Sequence, residues 1–268
     1  MKRLLFFIIL ILIGCGGGGN KSKDKNRVTL TPNTTWQWQL TGKLDTSYNV
    51  DLYDIDLFDT PTEVIKELKE QNRVVICYFS AGSFEEWRED SYKFDSSLLG
   101  NNLDGWEGER WLDISKLDKL APIMKDRLDL AKTKGCDGVE PDNVDGYTND
   151  TGFNLSYQDQ IEYNKFLAKE AKKRGLLIGL KNDLNQIEDL VEFFDFALNE
   201  ECHFFNECYL LEPFSSASKP IFNAEYDKKY IENRALREEL CKQSRQEHIQ
   251  TLILPRALDN SFRYSCQD

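Results

Sequence analysis

The chain has 268 residues, with 34 lysines and arginines against 46 aspartates and glutamates, so its formal charge at pH 7 is -12. Proteins that bind nucleic acids normally carry the opposite charge, so we expect no nucleic-acid partner but a cationic or neutral one. The two histidines, His203 and His248, are too few for a multi-histidine metal site or a histidine-based catalytic triad. We therefore predict that the protein needs no metal and no other cofactor.

The first thirty residues have the pattern of an exported lipoprotein. Lys2 and Arg3 precede an apolar run over residues 4–13, which is too short to span a bilayer comfortably. The run ends in L-I-G-C, which resembles a bacterial lipobox whose cysteine, Cys15, is lipidated. We predict a lipoprotein signal peptide at 1–14 and a flexible glycine-rich tether at 15–30, with an ordinary signal peptide as the alternative. The mature protein would then be anchored to the bacterial cell envelope, at the outer membrane or the cell surface.

Without Cys15 the chain retains six cysteines, an even number that is typical of exported proteins with disulfides. We predict two disulfides between cysteines that are close in sequence: Cys202–Cys208 and Cys241–Cys266. Cys77 and Cys136 lie in strand-like stretches, where they either pair with each other or remain as small buried apolar side chains.

From residue 31 onward, short β-rich runs alternate with helical patterns. The eight β-rich runs are Trp36–Leu40, Val50–Ile55, Arg73–Phe79, Cys136–Pro141, Leu176–Leu180, Phe194–Leu198, Pro220–Ala224 and Gln250–Leu254. The clearest helical patterns are Pro61–Gln71, Lys116–Lys134, Ser156–Arg174 and Tyr230–Gln246. This alternation predicts an α/β fold with a parallel sheet, and its size suits one (β/α)8 TIM-type barrel over residues 31–268. The connections after the first and sixth runs are too short for full helices, so we expect an irregular barrel.

Polar residues follow the apolar runs, and a barrel places these strand ends on one rim, where functional residues lie. Aromatic side chains add flat apolar faces that suit a sugar. We predict a sugar-binding cleft whose substrate-binding residues are Trp36, Asp54, Asp56, Tyr78, Ser80, Trp111, Asn143, Lys181, Asn182, Glu225 and Tyr226.

Two carboxylates on this rim suit glycoside hydrolysis, which needs two carboxyl groups on either side of one bond. Asp142 and Glu200 follow the fourth and sixth runs. Next-nearest strands lie about 10 Å apart, and inward-leaning side chains would approach the roughly 5–5.5 Å of a retaining enzyme.

Several segments resemble family 114 of the glycoside hydrolases, the endo-α-1,4-polygalactosaminidase family. They extend over nearly the whole mature chain: W-Q-W-Q-L (36–40), D-L-Y-D-I-D-L-F-D-T (51–60), V-I-C-Y-F-S-A-G-S-F-E-E-W-R (75–88), G-W-E-G-E-R-W-L-D-I (105–114), G-C-D-G-V-E-P-D-N-V-D-G-Y (135–147), G-L-K-N-D (179–183), F-D-F-A-L-N-E-E-C (194–202) and F-N-A-E-Y (222–226). The resemblance implies a (β/α)8 barrel that cleaves α-1,4-linked galactosamine polymers with a catalytic pair at Asp142 and Glu200.

The resemblance also implies a retaining mechanism, and analogy with other such barrels assigns the two roles. Asp142 would be the nucleophile, and Glu200 would protonate the leaving oxygen and then activate water. We expect repulsion from Glu201, Glu225 and Asp142 to raise the pKa of Glu200. Lys181 would keep Asp142 ionised.

The remaining carboxylates of the 135–147 segment have less demanding interpretations. Asp137 is expected to support the structure, and Glu140 to bind substrate or pair with a lysine or arginine. Asp145 is expected to cap a turn or to line the cleft. The spacing from 142 to 150 lacks the pattern of a calcium loop, and Ser83 lacks the context of a serine nucleophile.

The predicted partners are an amino-sugar polysaccharide of biofilm or cell-envelope origin and, through the lipid, a membrane; we expect a monomer. Two alternatives remain open from the sequence. One is a non-catalytic glycan-binding lipoprotein on the same barrel, and the other is a glycosidase for a different amino-sugar polymer.

Overall fold

The computed structural model describes residues 28–267. Its strands are β1 (Trp36–Gln39), β2 (Leu52–Asp56), β3 (Val74–Ser80), β4 (Ser83–Glu85), β5 (Leu99–Asn102), β6 (Glu109–Leu112), β7 (Gly138–Asp142), β8 (Leu177–Lys181), β9 (Phe196–Glu200), β10 (Ile221–Glu225), β11 (Ile249–Ile253) and β12 (Tyr264–Ser265). Each of the eight predicted β-rich runs overlaps one strand of the main sheet, with bounds that differ by up to two residues, which confirms the predicted strand pattern.

The helices are α1 (Thr62–Glu70), α2 (Leu117–Lys134), α3 (Tyr157–Lys173), α4 (Ile187–Leu190), α5 (Glu212–Ser216), α6 (Lys228–Glu232) and α7 (Arg234–Gln246). Short 3-10 helices lie at Ser91–Lys93, Ser96–Leu98, Gly146–Thr148, Leu184–Gln186, Val191–Phe193 and Cys208–Leu211. The helix predicted over 230–246 is therefore two helices. Asn233 separates them because its extended backbone, with φ -117°, caps α7 through hydrogen bonds from the amides of Ala235 and Leu236.

Nine strands form one curled, mostly parallel sheet in the order β1-β2-β3-β7-β8-β9-β10-β11-β12. Only β12 runs antiparallel, against β11. Hydrogen bonds from and to the C-terminal segment (residues 254–267) join the two edges: Leu40 N donates to Leu258 O at 3.1 Å and Arg263 donates to Trp36 O at 3.1 Å. The fold is thus a single α/β domain of the TIM type, irregular where the sheet would otherwise close.

Two large apolar cores stabilise this arrangement, and a smaller third cluster surrounds the Cys241–Cys266 pair. One lies between the sheet and the helices, and its members include Phe79, Leu128 and Leu167. The other fills the interior of the curled sheet, with Trp36 and Phe222 in contact at 4.9 Å between ring centroids. Burial on both faces of the sheet explains why its strands are continuous apolar runs.

Local sequence signals fix the ends of the two longest helices. Ser156 and Asp159 form a reciprocal capping box before α3, and the side chain of each accepts a hydrogen bond from the other's backbone amide. Gly135 ends α2 in the left-handed conformation, with φ 93°, which lets the chain turn directly into β7.

A second, antiparallel sheet of three strands, β4-β6-β5, interrupts the connection between β3 and α2. We call β4, β5 and β6 the side sheet. The sequence pattern does not predict it, because its strands are three or four residues long and largely polar. Its position directly after β3 places it over the carboxyl end of the main sheet.

The structure contains three disulfides within the described residues: Cys77–Cys136, Cys202–Cys208 and Cys241–Cys266. The two predicted pairs are confirmed, and the open question about Cys77 and Cys136 is answered by their pairing. The predicted signal peptide (1–14), Cys15 and the tether as far as residue 27 lie outside the described residues. Of the helices that the structure describes, none is long and apolar enough to cross a membrane.

Candidate active site

A cleft of about 930 Å³ opens at the carboxyl ends of the parallel strands. Loops that follow the strands of the main sheet form its floor, and the side sheet forms one wall. This is the face on which TIM-type barrels carry their functional residues.

Asp142 and Glu200 are the last residues of β7 and β9, and Lys181, the last residue of β8, lies between them. Lys181 Nζ is 3.0 Å from Asp142 Oδ1 and 3.2 Å from Glu200 Oε2. These two oxygens cannot be further apart than the sum of the two distances. That sum is smaller than the roughly 6.5–9.5 Å that separates the carboxyl groups of inverting glycosidases.

Lys181 is itself buried, with 2% of its side chain exposed. Its Nζ also lies 3.1 Å from Glu140 Oε1 and 4.8 Å from the centre of the Trp38 ring. Burial lowers the pKa of Lys181, but attraction by Asp142, Glu200 and Glu140 outweighs it and holds the pKa well above its usual range. Lys181 is therefore a fixed cation beneath the two carboxylates, as predicted for a charge partner of Asp142.

Donors surround both oxygens of Glu200. Tyr226 OH donates to Oε1 at 2.5 Å, and Asn182 Nδ2 donates to Oε2 at 3.3 Å. Burial raises the pKa of Glu200, but Lys181 and these hydrogen bonds outweigh it, so the pKa is lowered from its usual value. The prediction of a raised pKa is wrong for the free protein, because the nearest charge is a cation rather than another carboxylate.

Asp142 is held by its Oδ1, which accepts hydrogen bonds from Lys181 at 3.0 Å and from the backbone amide of Asn143 at 2.7 Å. The Asn143 side chain donates to Ser80 Oγ at 2.9 Å. Ser80 contacts Ser83 at 2.5 Å, and Ser83 donates to Glu109 at 2.9 Å. A continuous hydrogen-bond chain thus ties the Asp142 loop to the side sheet.

Backbone strain is concentrated where these strands end. Asn143, Asn182, Asp183 and Glu201 follow β7, β8 and β9 and have φ values between 48° and 60°, the left-handed region that non-glycine residues seldom occupy. Such conformations cost about 1–3 kcal/mol each and persist where a site requires them.

Gly82 shows how closely two of the loops approach. A Cβ atom built on this glycine would lie 1.6 Å from Asn143 O. The amides of Ala81 and Gly82 both donate to Asp142 O, at 2.9 and 3.0 Å. The absence of a side chain at Gly82 therefore lets the β3 loop bind the backbone of Asp142 directly.

The structure brings most of the predicted site residues together. Besides Asp142 and Glu200, seven of the predicted substrate-binding residues line the cleft: Asp56, Tyr78, Trp111, Asn143, Lys181, Asn182 and Tyr226. Their contacts with substrate stay a prediction. Asp56 already forms an ion pair with Arg88, in which Arg88 Nη2 lies 2.7 Å from Asp56 Oδ2.

The other four predicted substrate-binding residues do not line the cleft. Trp36 begins β1, so it lies deep in the interior, where its Nε1 donates to Gln250 O at 2.8 Å. Glu225 is fully buried and accepts the amide of His203 at 2.9 Å, which holds the loop after β9. Asp54 is buried below the catalytic pair, and Ser80 is buried beside Asp142, in register with it on the neighbouring strand.

Several cleft residues were not among the predicted binding residues: Trp38, Trp87, Trp106, Glu109 and Phe205. Trp38 lies two positions after Trp36, on the same face of β1 but nearer the cleft. Trp87 and Trp106 have 52% and 46% of their surfaces exposed, and Phe205 has 59% exposed. Trp38, Trp87 and Trp106 belong to the aromatic residues that suggest a sugar site in the sequence, whereas Glu109 and Phe205 were not singled out.

The four carboxylates of residues 137–145 lie at different levels along the barrel axis, from below the sheet to the cleft. Asp137, below β7, accepts the amide of Val75 at 3.0 Å and pairs with Lys69, so it supports the structure. Glu140 pairs with Lys181 in the interior. Asp142 and Asp145 reach the cleft, and burial raises the pKa of Asp145 to about 6.

Among residues 28–267, one group of potential metal ligands clusters: Cys202, His203 and Cys208. Its two cysteines form a disulfide, so they offer no thiolates to a metal.

The cleft lining is rich in acidic residues: twelve aspartates and glutamates lie there against the three cations Arg88, Lys181 and Arg256.

A pair of carboxylates that a buried lysine holds at the mouth of a TIM-type barrel, inside an acidic cleft with aromatic faces, defines a carbohydrate-cleaving enzyme. The chain belongs to glycoside hydrolase family GH114, whose model matches residues 19–268.

One solved structure supports this assignment, and a second shares the fold. Ega3 from Aspergillus fumigatus, solved in complex with galactosamine, is 40% identical, with a TM-score of 0.83 over 92% of this chain and 100% of Ega3. The glycoside hydrolase domain of PelA from Pseudomonas aeruginosa shares the fold at 14% identity, with a TM-score of 0.65 over 85% of this chain and 96% of that domain. A search of curated proteins found no match.

Proposed function

We propose that this glycoside hydrolase cleaves α-1,4-linked, galactosamine-containing polysaccharide internally and with retention of configuration. The observation that carries the mechanism is the binding of Asp142 and Glu200 to the same Lys181 nitrogen, which keeps the two carboxylates close. The substrate class is supported by the 40% identity to Ega3, a protein solved with galactosamine. An acidic cleft also suits a polymer that carries free amino groups.

In the proposed reaction Asp142 attacks the anomeric carbon while Glu200 protonates the leaving oxygen. Glu200 then removes a proton from the water that releases the sugar. The free protein holds Glu200 ionised, so the proton must be taken up when substrate binds. Burial is the factor that raises the pKa of Glu200, and a bound polymer would cover its side chain, which is 30% exposed.

The exposed aromatic residues support internal cleavage. Trp87 and Trp106 lie on the side-sheet wall, and Phe205 lies in the loop that follows β9. These rings offer stacking faces on more than one side of the catalytic pair, so a polymer would be held across the cleft rather than by one end.

The first experiment measures the products released by residues 27–268 from galactosamine oligomers, in fully acetylated and de-N-acetylated forms. We expect early products of mixed length from the de-N-acetylated form. Asp142→Asn and Glu200→Gln should each lose at least about 10³-fold in kcat, whereas the neighbouring Glu201→Gln should lose less than tenfold. More than a few per cent of wild-type activity in either catalytic variant would refute the site.

Role assignment needs a separate measurement. With an activated substrate, azide should rescue Glu200→Ala and give a product of unchanged anomeric configuration. Rescue of Asp142→Ala with inverted configuration would be consistent with Asp142 as nucleophile. If these two outcomes were exchanged, the roles would be reversed. Activity on another amino-sugar polymer but not on galactosamine would identify a different substrate, and binding without any hydrolysis would favour the non-catalytic glycan-binding alternative.

We also propose that the protein works as a monomer outside the cytoplasm, anchored by lipid on Cys15. The lipobox-like sequence supports the anchor, and three disulfides support an oxidising compartment. Metabolic labelling with an alkyne fatty acid should mark the wild-type protein but not Cys15→Ala. Equal labelling of both proteins would exclude Cys15 as the lipid site.

A further inference from the structure

Beneath Lys181 lies a second pair of carboxyl groups, which takes no direct part in the proposed reaction. Asp54 is in the middle of β2 and Glu140 is in the middle of β7, and they are 1% and 0% exposed. Glu140 Oε1 is 3.1 Å from Lys181 Nζ, and the Asp54 carboxyl is a hydrogen-bond neighbour of the Glu140 carboxyl. Two buried carboxyl groups therefore meet with one cation at their upper edge.

The hydrogen-bond pattern of this pair is incomplete without a proton. Within residues 28–267, Asp54 Oδ1 and Glu140 Oε2 are buried oxygens that have no donor. Two carboxylates in contact repel each other and leave unpaired buried charge, which is costly. One proton shared by the two groups supplies the missing donor and removes one of the charges.

We propose that Asp54 and Glu140 hold one proton between them and act as a positioning pair, which fixes Lys181 between the two catalytic carboxylates. This inference rests on the proposed catalytic roles of Asp142 and Glu200. With one proton the pair carries a single negative charge. Lys181 then neutralises one of the three remaining negative charges, and the catalytic pair keeps an excess of negative charge towards the cleft.

The direction of the titration agrees with this arrangement. Burial raises the pKa of Asp54 to about 8 and that of Glu140 well above its usual range. The titratable groups that face the pair are Asp142 (β7), Lys181 (β8), Tyr78 (β3) and Tyr226, which follows β10. Asp56, two residues after Asp54 on β2, is paired with Arg88. Above about pH 8 the pair loses its proton, and the added negative charge competes with Asp142 and Glu200 for Lys181.

The test compares Asp54→Leu with Asp54→Asn in the full-length protein, with de-N-acetylated galactosamine oligomers as substrate. Leucine removes the hydrogen bond, so kcat should fall at least thirtyfold while KM stays within threefold. Asparagine supplies a permanent donor to Glu140, so it should restore kcat to within about fivefold of wild type. It should also abolish the loss of activity between pH 8 and 9, because the asparagine amide has no proton to lose in this range.

Glu140→Gln removes the anionic partner of Lys181, so it should lower kcat at least thirtyfold and move the acid limb of the pH profile to lower pH. Asp137→Asn, on the same segment but paired with Lys69 outside the cleft, is the matched control and should leave the profile unchanged. Equal losses in Asp54→Asn and Asp54→Leu, with an unchanged profile, would refute the positioning pair.

A readout that does not depend on activity separates this inference from the proposed function. In carboxyl ¹³C NMR spectra, a shared proton should make Asp54 titrate only above about pH 7, and the Asp54 signal should be absent from Asp54→Asn. If no galactosamine polymer is cleaved but this titration is seen, the substrate proposal fails and the shared proton stands. Titration of both carboxyls near pH 4 would overturn the inference.

Discussion

Among residues 28–267, two buried cations, Arg88 and Lys181, each meet several carboxylates, and the two clusters differ in how far their carboxylates are exposed. Arg88 Nη2 contacts Asp56 at 2.7 Å and Glu85 at 2.8 Å, and all three side chains are at most 5% exposed. Lys181 contacts Asp142 and Glu200, whose side chains are 19% and 30% exposed towards the cleft. Asp59, 3.3 Å from Arg88 Nη1, is a third and exposed partner of the arginine. The two carboxylates on Arg88 Nη2 are thus nearly inaccessible to solvent, whereas the two on Lys181 are open to the cleft.

The choice of cation matches this difference. The planar guanidinium of Arg88 binds both oxygens of Asp56 and lies 4.9 Å from the centre of the Phe58 ring, which fixes its orientation. The ammonium of Lys181 is a compact charge with three donors, and it binds three carboxylates on two strands. An arginine fork suits a permanent brace, while a lysine suits carboxylates that must also react.

Removal of the lysine charge should have the largest effect. Lys181→Met leaves Asp142 and Glu200 facing each other without a cation, so kcat should fall about 10³-fold or more. Lys181→Arg should not restore it, because a planar fork cannot replace a point charge between three carboxylates. Both variants are measured with oligomer substrate, and retention of more than a tenth of the activity in Lys181→Met would remove the contrast.

Removal of the arginine charge should affect stability instead. Arg88→Met leaves Asp56 and Glu85 buried without a partner, which should cost about 3–5 kcal/mol of unfolding free energy. The kcat of the folded fraction should stay within about fivefold. Urea unfolding measures the loss, and Lys93→Met, which breaks an exposed ion pair with Asp126, is the control at less than about 1 kcal/mol. A kcat loss as large as that of Lys181→Met would show that both clusters serve the reaction.

A smaller change tests the open side of the lysine cluster. Tyr226→Phe removes a donor that favours ionised Glu200, so the pKa of Glu200 should rise and the pH-rate limb that depends on it should move to higher pH. The kcat at the optimum should fall about tenfold. Tyr209→Phe, at a ring that is 72% exposed, should change neither value. An unmoved limb would mean that Tyr226 does not control Glu200.

The smallest expected effect is the dependence of the unfolding free energy on pH. Burial raises the pKa of Glu109 to about 7 and that of Asp183 to about 9, against about 4 in the unfolded chain. Between these values the folded state holds protons that the unfolded state has lost, so stability falls as pH rises. The unfolding free energy should be at least about 1 kcal/mol lower at pH 8 than at pH 5. Asp183→Asn should flatten this slope, and a rise in stability towards pH 8 would contradict the prediction.

The fold was largely predictable because a parallel sheet that is buried on both faces produces apolar runs of fixed length. The rim was predictable for a related reason, since each run changes from apolar to polar where a strand ends. The side sheet was not predictable, because its strands are short and polar and carry no clear alternation of apolar and polar residues. The sequence also does not show how deep in the barrel a side chain lies. Trp36 and Trp38 look equivalent in W-Q-W, yet only Trp38 reaches the cleft.

The charge state of Glu200 was beyond the sequence for a different reason. Neighbours along the chain, such as Glu201, suggest repulsion, whereas the nearest charge comes from Lys181 on another strand. The direction of a pKa shift depends on a few ångströms in space, and sequence distance carries no such information. The same limit applies to Asp54 and Glu140, which are 86 positions apart in the sequence but neighbours in the interior.

The close approach of two loops at Gly82 restricts which residues evolution can place at this position. Every single-codon change away from glycine adds at least a Cβ, which would collide with the backbone of Asn143 rather than with a side chain that can move aside. A mutational screen for active enzyme should therefore recover only glycine at position 82, where the β3 loop meets the Asp142 loop.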